Sequence, residues 1–125
     1  NCLDMFREMF LTTALAKVKE QDAACVPAEE VLYMATAAGA QCMGLADCDS
    51  LSVGKKADII MIDLMQPNMQ PENDIAKNIV YSGSKQNVIM TMVNGRILYE
   101  NGQFEIGFDP KEIYAKANAV IGRMK

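Results

Sequence analysis

The sequence predicts an α+β fold, and three observations carry that reading. Helical-period segments with recognisable caps occupy both ends of the chain. Between them, residues 51–106 break into short apolar runs punctuated by Gly and Asn-Gly. At the centre stands LSVGKKADIIMID (residues 51–63), where a tight Gly54-Lys55-Lys56 turn leads into Ile59-Ile60-Met61-Ile62. An unbroken, β-branched apolar run with a charge at each end predicts a short strand buried on both faces; a half-exposed strand would alternate.

The first segment, residues 1–20, carries Phe6, Met9, Phe10, Leu11, Ala14, Leu15 and Val18 at helical spacing. Arg7, Glu8, Lys17, Lys19 and Glu20 keep largely to the other face, so an amphipathic helix is predicted. Asn1 is placed to cap it, with Asp4 in the first turn, where negative charge is favoured. After a connector at 21–26, Pro27 takes a first helical position with Glu29 and Glu30 behind it. That helix is expected to stop at Gly39, with one further turn over 40–43 closed by Gly44. The Ala and Gly content of residues 35–44 predicts close packing on another element.

From Asp47 the texture turns to β. Residues 51–53 are a strand candidate and 57–63 the central strand. Residues 66–74 hold two prolines and two asparagines and read as a loop. Ile79-Val80-Tyr81 and residues 88–93 are further strand candidates. Asn94-Gly95 between two strand-like runs marks a hairpin, because a type I′ turn needs positive φ at both positions. Asn101-Gly102 marks a second turn, into residues 103–106. Asp109-Pro110-Lys111-Glu112 then starts a helix: Asp caps, Pro takes the first position and Glu112 stands where a capping box places it. Ile113, Ala117, Val120, Ile121 and Met124 line one face of it.

Composition narrows the function classes. At 125 residues, half apolar and 22% charged, the chain is one globular domain's worth. A net charge of −4, with Lys55-Lys56 the only adjacent basic pair, argues against a nucleic-acid partner. No apolar run approaches the roughly 18 residues of a membrane span, and the N-terminal stretch does not read as a signal peptide. Cys2, Cys25, Cys42 and Cys48 show no CxxC spacing, so reduced thiols and a cytoplasmic location are expected; a Cys42–Cys48 approach stays open. The sequence contains no histidine. Histidine is the commonest ligand of catalytic zinc and the commonest general base near neutrality, so a His-type metal centre or Ser-His pair is excluded within this chain.

The remaining candidates for chemistry read as structure. Gly54-Lys55-Lys56 precedes a strand, whereas a P-loop follows one and opens a helix. Asp58 and Asp63 flank a strand about 16 Å long at roughly 3.3 Å per residue, too far apart to share an ion. They, like Asp47 and Asp49, read as solvated ends. The ten methionines read as core, and Tyr33, Tyr81, Tyr99 and Tyr114 as packing. On its own residues the sequence describes a soluble domain with no self-contained active site.

Several stretches nevertheless resemble one family. They are NCLDMFREM (1–9), PAEEVLYMAT (27–36) with Gly39-Ala40, residues 50–63, NIVYS (78–82) and VNGR (93–96). Together, in this order and spacing, they resemble the C-terminal part of metal-dependent amidohydrolases. The opening stretch points to the branch of methylthioadenosine/S-adenosylhomocysteine deaminases and triazine chlorohydrolase-like enzymes. The resemblance covers nearly the whole chain. Asp49 stands where the family often has glycine, and the last helix is variable in the family.

The resemblance implies a parent enzyme with a (β/α)₈ barrel holding one divalent metal, zinc or iron. Its metal-bound water attacks an electron-poor ring carbon and expels ammonia or another leaving group. No metal ligand or catalytic residue of the family maps onto this chain; the family's aspartate would fall just upstream of Asn1. Residues 1–46 would be the helical end of the barrel, 47–108 the C-terminal part of a composite β-sandwich and 109–125 a terminal helix. Asn1, Cys2 and Leu3 would lie in the loop after the eighth barrel strand, near substrate; the plainer reading of them is a helix cap and its first turn. The implied partners are the missing N-terminal barrel and β-strands and a small-molecule substrate. The chain by itself is expected to be inert and to self-associate. Two alternatives stand beside this: a stand-alone binding or assembly module, and another amidohydrolase branch, dihydroorotase-like or imidazolonepropionase-like.

Overall fold

Helix α1 spans Met5–Glu20 and is capped by Asp4, whose Oδ1 accepts from the Arg7 N–H at 3.3 Å. Asp4 is therefore the cap itself and not a first-turn residue, because its extended backbone turns the carboxylate onto an N–H with no helical partner. The computed structural model describes residues 3–124; Asn1, expected as the cap, lies outside them with Cys2 and Lys125. The buried residues of α1 are Phe6, Met9 and Thr13. Leu15 and Val18, assigned above to the same apolar face, are 65% and 76% exposed on the opposite side. So α1 is apolar on two sides and covered on one, which the expectation of a single amphipathic face missed.

Pro27 occupies the cap position, one residue earlier than expected, and α2 runs Ala28–Tyr33. The expected stop at Gly39 does not occur. The chain passes through a π-helical turn, Met34–Ala38, into α3, Gly39–Cys42, with Gly39 at helical φ −58° and ψ −48°. A Cβ there would stand 3.2 Å from the Met34 carbonyl oxygen, so this glycine relieves the crowded π turn instead of ending the helix. The end comes at Gly44, φ 72°: its N–H donates to Gln41 O (3.0 Å) and the Leu45 N–H to Ala40 O (2.9 Å), a Schellman pair.

Among the described residues, four antiparallel strands pair in sequence order: β1 (Ile59–Ile62), β2 (Val88–Val93), β3 (Arg96–Glu100) and β4 (Gln103–Phe104). Asn94-Gly95 (φ 49° and 78°) and Asn101-Gly102 (φ 46° and 87°) form the two tight turns that positive φ at both positions demands. β1 faces β2 with Ile59 opposite Met92 and Met61 opposite Met90, then a bulge between Met61 and Ile62. It is an edge strand among the described residues, and Ile60 and Met61 are 53% and 50% exposed. The expectation of two buried faces fails because neither a second neighbour nor a covering layer reaches its middle.

Two strand candidates are not strands. Residues 51–53 lie in bends and turns, with Leu51 and Val53 exposed. Ile79-Val80-Tyr81 lies in a π-helical turn, Asn78–Ser82, that continues α4, Ile75–Lys77. The helix starts at Asp74, whose carboxylate accepts from the Lys77 N–H at 3.1 Å. Ala76, Ile79 and Val80 then meet the core at three- and four-residue spacing, a helical pattern that a three-residue apolar run conceals.

The core lies where α1, α2 and residues 75–82 converge. Phe6, Met9, Ala28, Val31 and Val80 form it, with Ile62 of β1 and Val88 of β2 packed against it. Gly83 closes one side: a Cβ there would lie 2.5 Å from Ile79 O and 2.8 Å from the Phe6 ring. The methionines do not all join this core. Met9, Met69 and Met90 are buried, whereas Met5, Met34, Met43, Met61, Met65 and Met124 are exposed. Helix α5, Pro110–Arg123, begins as expected with Asp109 accepting from the Lys111 N–H at 2.9 Å, but none of its residues is buried. No described helix is long and apolar enough to cross a membrane.

Candidate functional site

Of the three residues expected nearest a substrate, Asn1 and Cys2 lie outside the described residues. Leu3 is fully exposed at φ 45°, immediately before the Asp4 cap. The positive φ turns the chain sharply into α1, an uncommon conformation for a branched side chain.

The carboxylates are committed to holding loops. Asp58 Oδ1 accepts from the Asn94 N–H at 2.6 Å, tying the β2–β3 turn to the start of β1. Asp63 accepts from the Gln66 side-chain amide at 2.6 Å and the Met65 N–H at 2.9 Å, and these bonds hold its pKa below the usual carboxylate range. In the 47–56 loop, Asp49 pairs with Lys55 and accepts from the Gln41 amide at 3.2 Å; Lys55, then Gln41, depress its pKa. Asp47 pairs with Lys56 at 2.5 Å, which lowers the carboxyl pKa and raises that of the ammonium. Loss of solvent, then neighbouring Asp58, pushes the Cys48 thiol up, the reverse of what a nucleophilic thiolate needs. Cys25, Cys42 and Cys48 are free thiols.

These donors do not fit a catalytic zinc centre. The chain has no histidine, and among the described residues no group of three or more Cys, Asp or Glu converges. What the residue types did not reveal is a set of polar side chains that fasten the loops, Thr13 and Asn87 buried among them. Thr13, fully buried, donates to Val26 O at 2.9 Å and lies 3.3 Å from the Tyr81 hydroxyl. Lys17 donates to the carbonyls of Ala23 (2.8 Å) and Cys25 (2.6 Å) and so fastens the connector to α1. Asn68 and Asn87 exchange amide bonds at 2.9 and 3.1 Å, and Asn87 Oδ1 also accepts from the Ser84 N–H. Asn78 donates to Met69 O at 2.6 Å and Pro71 O at 3.0 Å. Residue type alone gave no signal for these, since an asparagine in a loop is ordinarily solvated.

Two cavities accompany this framework. A groove of about 480 Å³ between α1 and the α2–α3 segment is lined by Met5, Met9, Val31, Met34, Met43 and Leu45, among others. A second space of about 470 Å³ is lined by Gln66, Pro67, Asn68, Ser82, Ser84, Gln86 and Asn87. Thr12 and Thr36, which also line the first, donate their hydroxyls to the backbone carbonyls of Glu8 and Leu32. The apolar groove can bind surface; the amide-lined space is built from groups that largely satisfy one another.

Comparison with known proteins identifies the family. Residues 1–98 match the model of the amidohydrolase family. The chain is 41% identical over 117 residues to a 5-methylthioadenosine/S-adenosylhomocysteine deaminase of Moorella thermoacetica, covering 93% of this chain and 27% of that protein. Its structure is similar to that of a zinc-bound adenosine deaminase from Xanthomonas campestris, with a TM-score of 0.90 and 28% identity over 95% of this chain and 27% of that one. It is also similar to zinc-complexed atrazine chlorohydrolase from Arthrobacter aurescens, with a TM-score of 0.73 and 28% identity over 88% of this chain and 25% of that one. The chain thus spans about a quarter of the length of the relatives it matches. With the quoted motifs, the family match and the fold in agreement, the chain belongs to the amidohydrolase family, and its similarity runs to the branch of methylthioadenosine/S-adenosylhomocysteine deaminases and triazine hydrolases.

Proposed function

We propose that this chain is the C-terminal portion of a metal-dependent hydrolase that cleaves C–N bonds other than peptide bonds, an aminohydrolase acting on a purine-like or triazine ring. The observation that carries the reading is a donor set with no histidine inside a chain that matches a quarter of each zinc-bound neighbour. Metal and reacting groups belong to the remaining three quarters; this portion supplies outer helices and part of a sheet. No catalytic step runs through residues 3–124. Asn1, Cys2 and Leu3 are the part of the chain nearest the substrate.

The surface supports the same reading. A self-contained protein of 13.7 kDa exposes about 6,600 Å² on the usual scaling of area with mass. This chain exposes 9255 Å². The excess is of the size an obligate interface buries, and it is rich in large apolar side chains, the outer side of α1 and the face of α5 among them. The chain by itself therefore self-associates and is inert, and its partner is the barrel and strands of the longer polypeptide.

The test is an ammonia-release assay on methylthioadenosine, S-adenosylhomocysteine and 5′-deoxyadenosine with zinc supplied. The polypeptide encoded by the full reading frame is expected to deaminate at least one of them and to lose that activity to a chelator. The 125-residue chain is expected to release nothing. Chelator-sensitive deamination by the 125-residue chain, or a reading frame that opens at Asn1, overturns the proposal.

A further inference from the structure

Two apolar features are left uncovered by the described residues. The first is one side of α5. Ile113, Ala117, Val120 and Met124 follow one another at four, three and four residues, the spacing of a helix-pairing seam. The seam is about 16 Å long at the rise of an α-helix, and Ile121 widens it. All five residues are exposed, Ile121 at 53% and Met124 at 80%. The second feature is the groove between α1 and the α2–α3 segment. Met9 and Val31 form its buried floor, and Met5, Met34 and Met43 its exposed rim. An amphipathic helix laid into a methionine-lined groove is a recurring mode of recognition, because flexible thioethers repack around the side chains they receive.

Charge matches the two. Residues 110–125 carry Lys111, Lys116, Arg123 and Lys125 against one acid, Glu112, a net +3 in a chain of net −4, so the remainder carries −7. Lys116 and Arg123 directly precede Ala117 and Met124 and therefore share one flank of the seam. Among the described residues, the one charged side chain lining the groove is the acid Glu8, and it takes part in no ion pair.

Within one copy the two features do not meet, since no residue of α5 lines the groove and none is buried. An antiparallel pair of α5 helices would set the basic flank against itself. The family match ends at residue 98, before α5 begins, so the fold that the family shares is specified without this helix. Leu11, Leu15 and Val18, on the outer side of α1, do not line the groove and stay free for the rest of the polypeptide.

We propose that α5 seats its apolar side in the α1–α2 groove of a second copy of this chain, while α5 of that copy fills the groove of the first. Glu8 of each copy then meets Lys116 or Arg123 of the other. The exchange is self-complementary and closes on a dimer. It stands independently of which ring the active site takes.

Sedimentation equilibrium of the polypeptide encoded by the full reading frame tests the pairing, and a dimer is expected. Val120→Glu should raise its dissociation constant at least about 100-fold, because it carries an unpaired carboxylate into the seam beside Glu8. Met34→Lys should do the same from the groove side, where it opposes the basic flank. Both positions are about half exposed in the single copy, so the variants keep their fold, which an unchanged circular dichroism spectrum checks. Glu8→Lys should weaken the dimer, and adding Lys116→Glu and Arg123→Glu should restore it. A photo-crosslinker at position 120, in mixed isotope-labelled and unlabelled copies, should join to groove residues of the other copy. A monomeric protein overturns the proposal, as does a dimer whose dissociation constant either single variant leaves unchanged. Crosslinks within one copy, or to residues outside 1–125, overturn it in favour of the polypeptide's own barrel or strands. A monomer that deaminates overturns the pairing and leaves the functional reading standing, whereas a dimer without chelator-sensitive deamination refutes that reading and not the pairing.

Discussion

Gly83→Ala should destabilise the chain although it is a small-to-small change at an ordinary backbone position. The new methyl would stand 2.5 Å from the Ile79 carbonyl oxygen and 2.8 and 3.0 Å from two carbons of the Phe6 ring. Neither neighbour yields easily. Ile79 O belongs to the π turn, and Phe6 is 7% exposed in the centre of the core. Overpacking of this kind costs typically about 1–3 kcal/mol, and a backbone contact places it near the top of that range. Replacing glycine also removes freedom from the unfolded chain, which returns about 0.4–1 kcal/mol. The net expectation is a loss of about 2 kcal/mol, or roughly 8 °C in Tm for a domain of this size. Equilibrium urea unfolding followed by far-UV circular dichroism, at a protein concentration low enough to suppress association, measures it. Gly122→Ala is the control, since nothing lies within 4 Å of its Cβ position and it sits inside α5; it should gain roughly 0.5–1 kcal/mol. In a Phe6→Leu background the Gly83→Ala penalty should shrink, because part of the clash is with the ring. A neutral or stabilising Gly83→Ala, or an unchanged penalty in that background, refutes the close packing argued for this corner.

Two further outcomes follow from the same framework. Asn87→Ala removes the buried acceptor of the Ser84 N–H and one partner of the exposed Asn68 amide, and should lower the urea-derived stability by about 1–3 kcal/mol; a loss below about 1 kcal/mol would mean water replaces the amide. Stability against pH should fall at both extremes. Asp47, Asp49, Asp63 and Asp74 titrate below their ordinary value in the fold, so their contribution is present above about pH 4 and fades as pH drops through the depressed values. Lys56 and Lys77 are raised, so theirs is present below about pH 10.4 and fades as pH rises beyond it. A Tm that climbs on acidification below pH 4 would contradict that sign.

The sequence by itself determined what depends on local geometry. Asn94-Gly95 and Asn101-Gly102 placed their turns because few other residue pairs adopt positive φ twice in succession. Asp109-Pro110 placed the start of α5, since the cap and the fixed φ act within one turn of chain. The absence of histidine excludes a His-ligated metal centre within this chain. Tertiary structure decided which apolar residues are covered, because burial depends on what stands opposite and not on the residue. Leu15 and Val18 share the hydrophobicity of Phe6 and Met9, yet only the latter pair meets α2 and the 75–82 segment. It also decided that Ile79-Val80-Tyr81 is helical, since Asp74 starts a turn that brings Ala76 and Val80 to the same core.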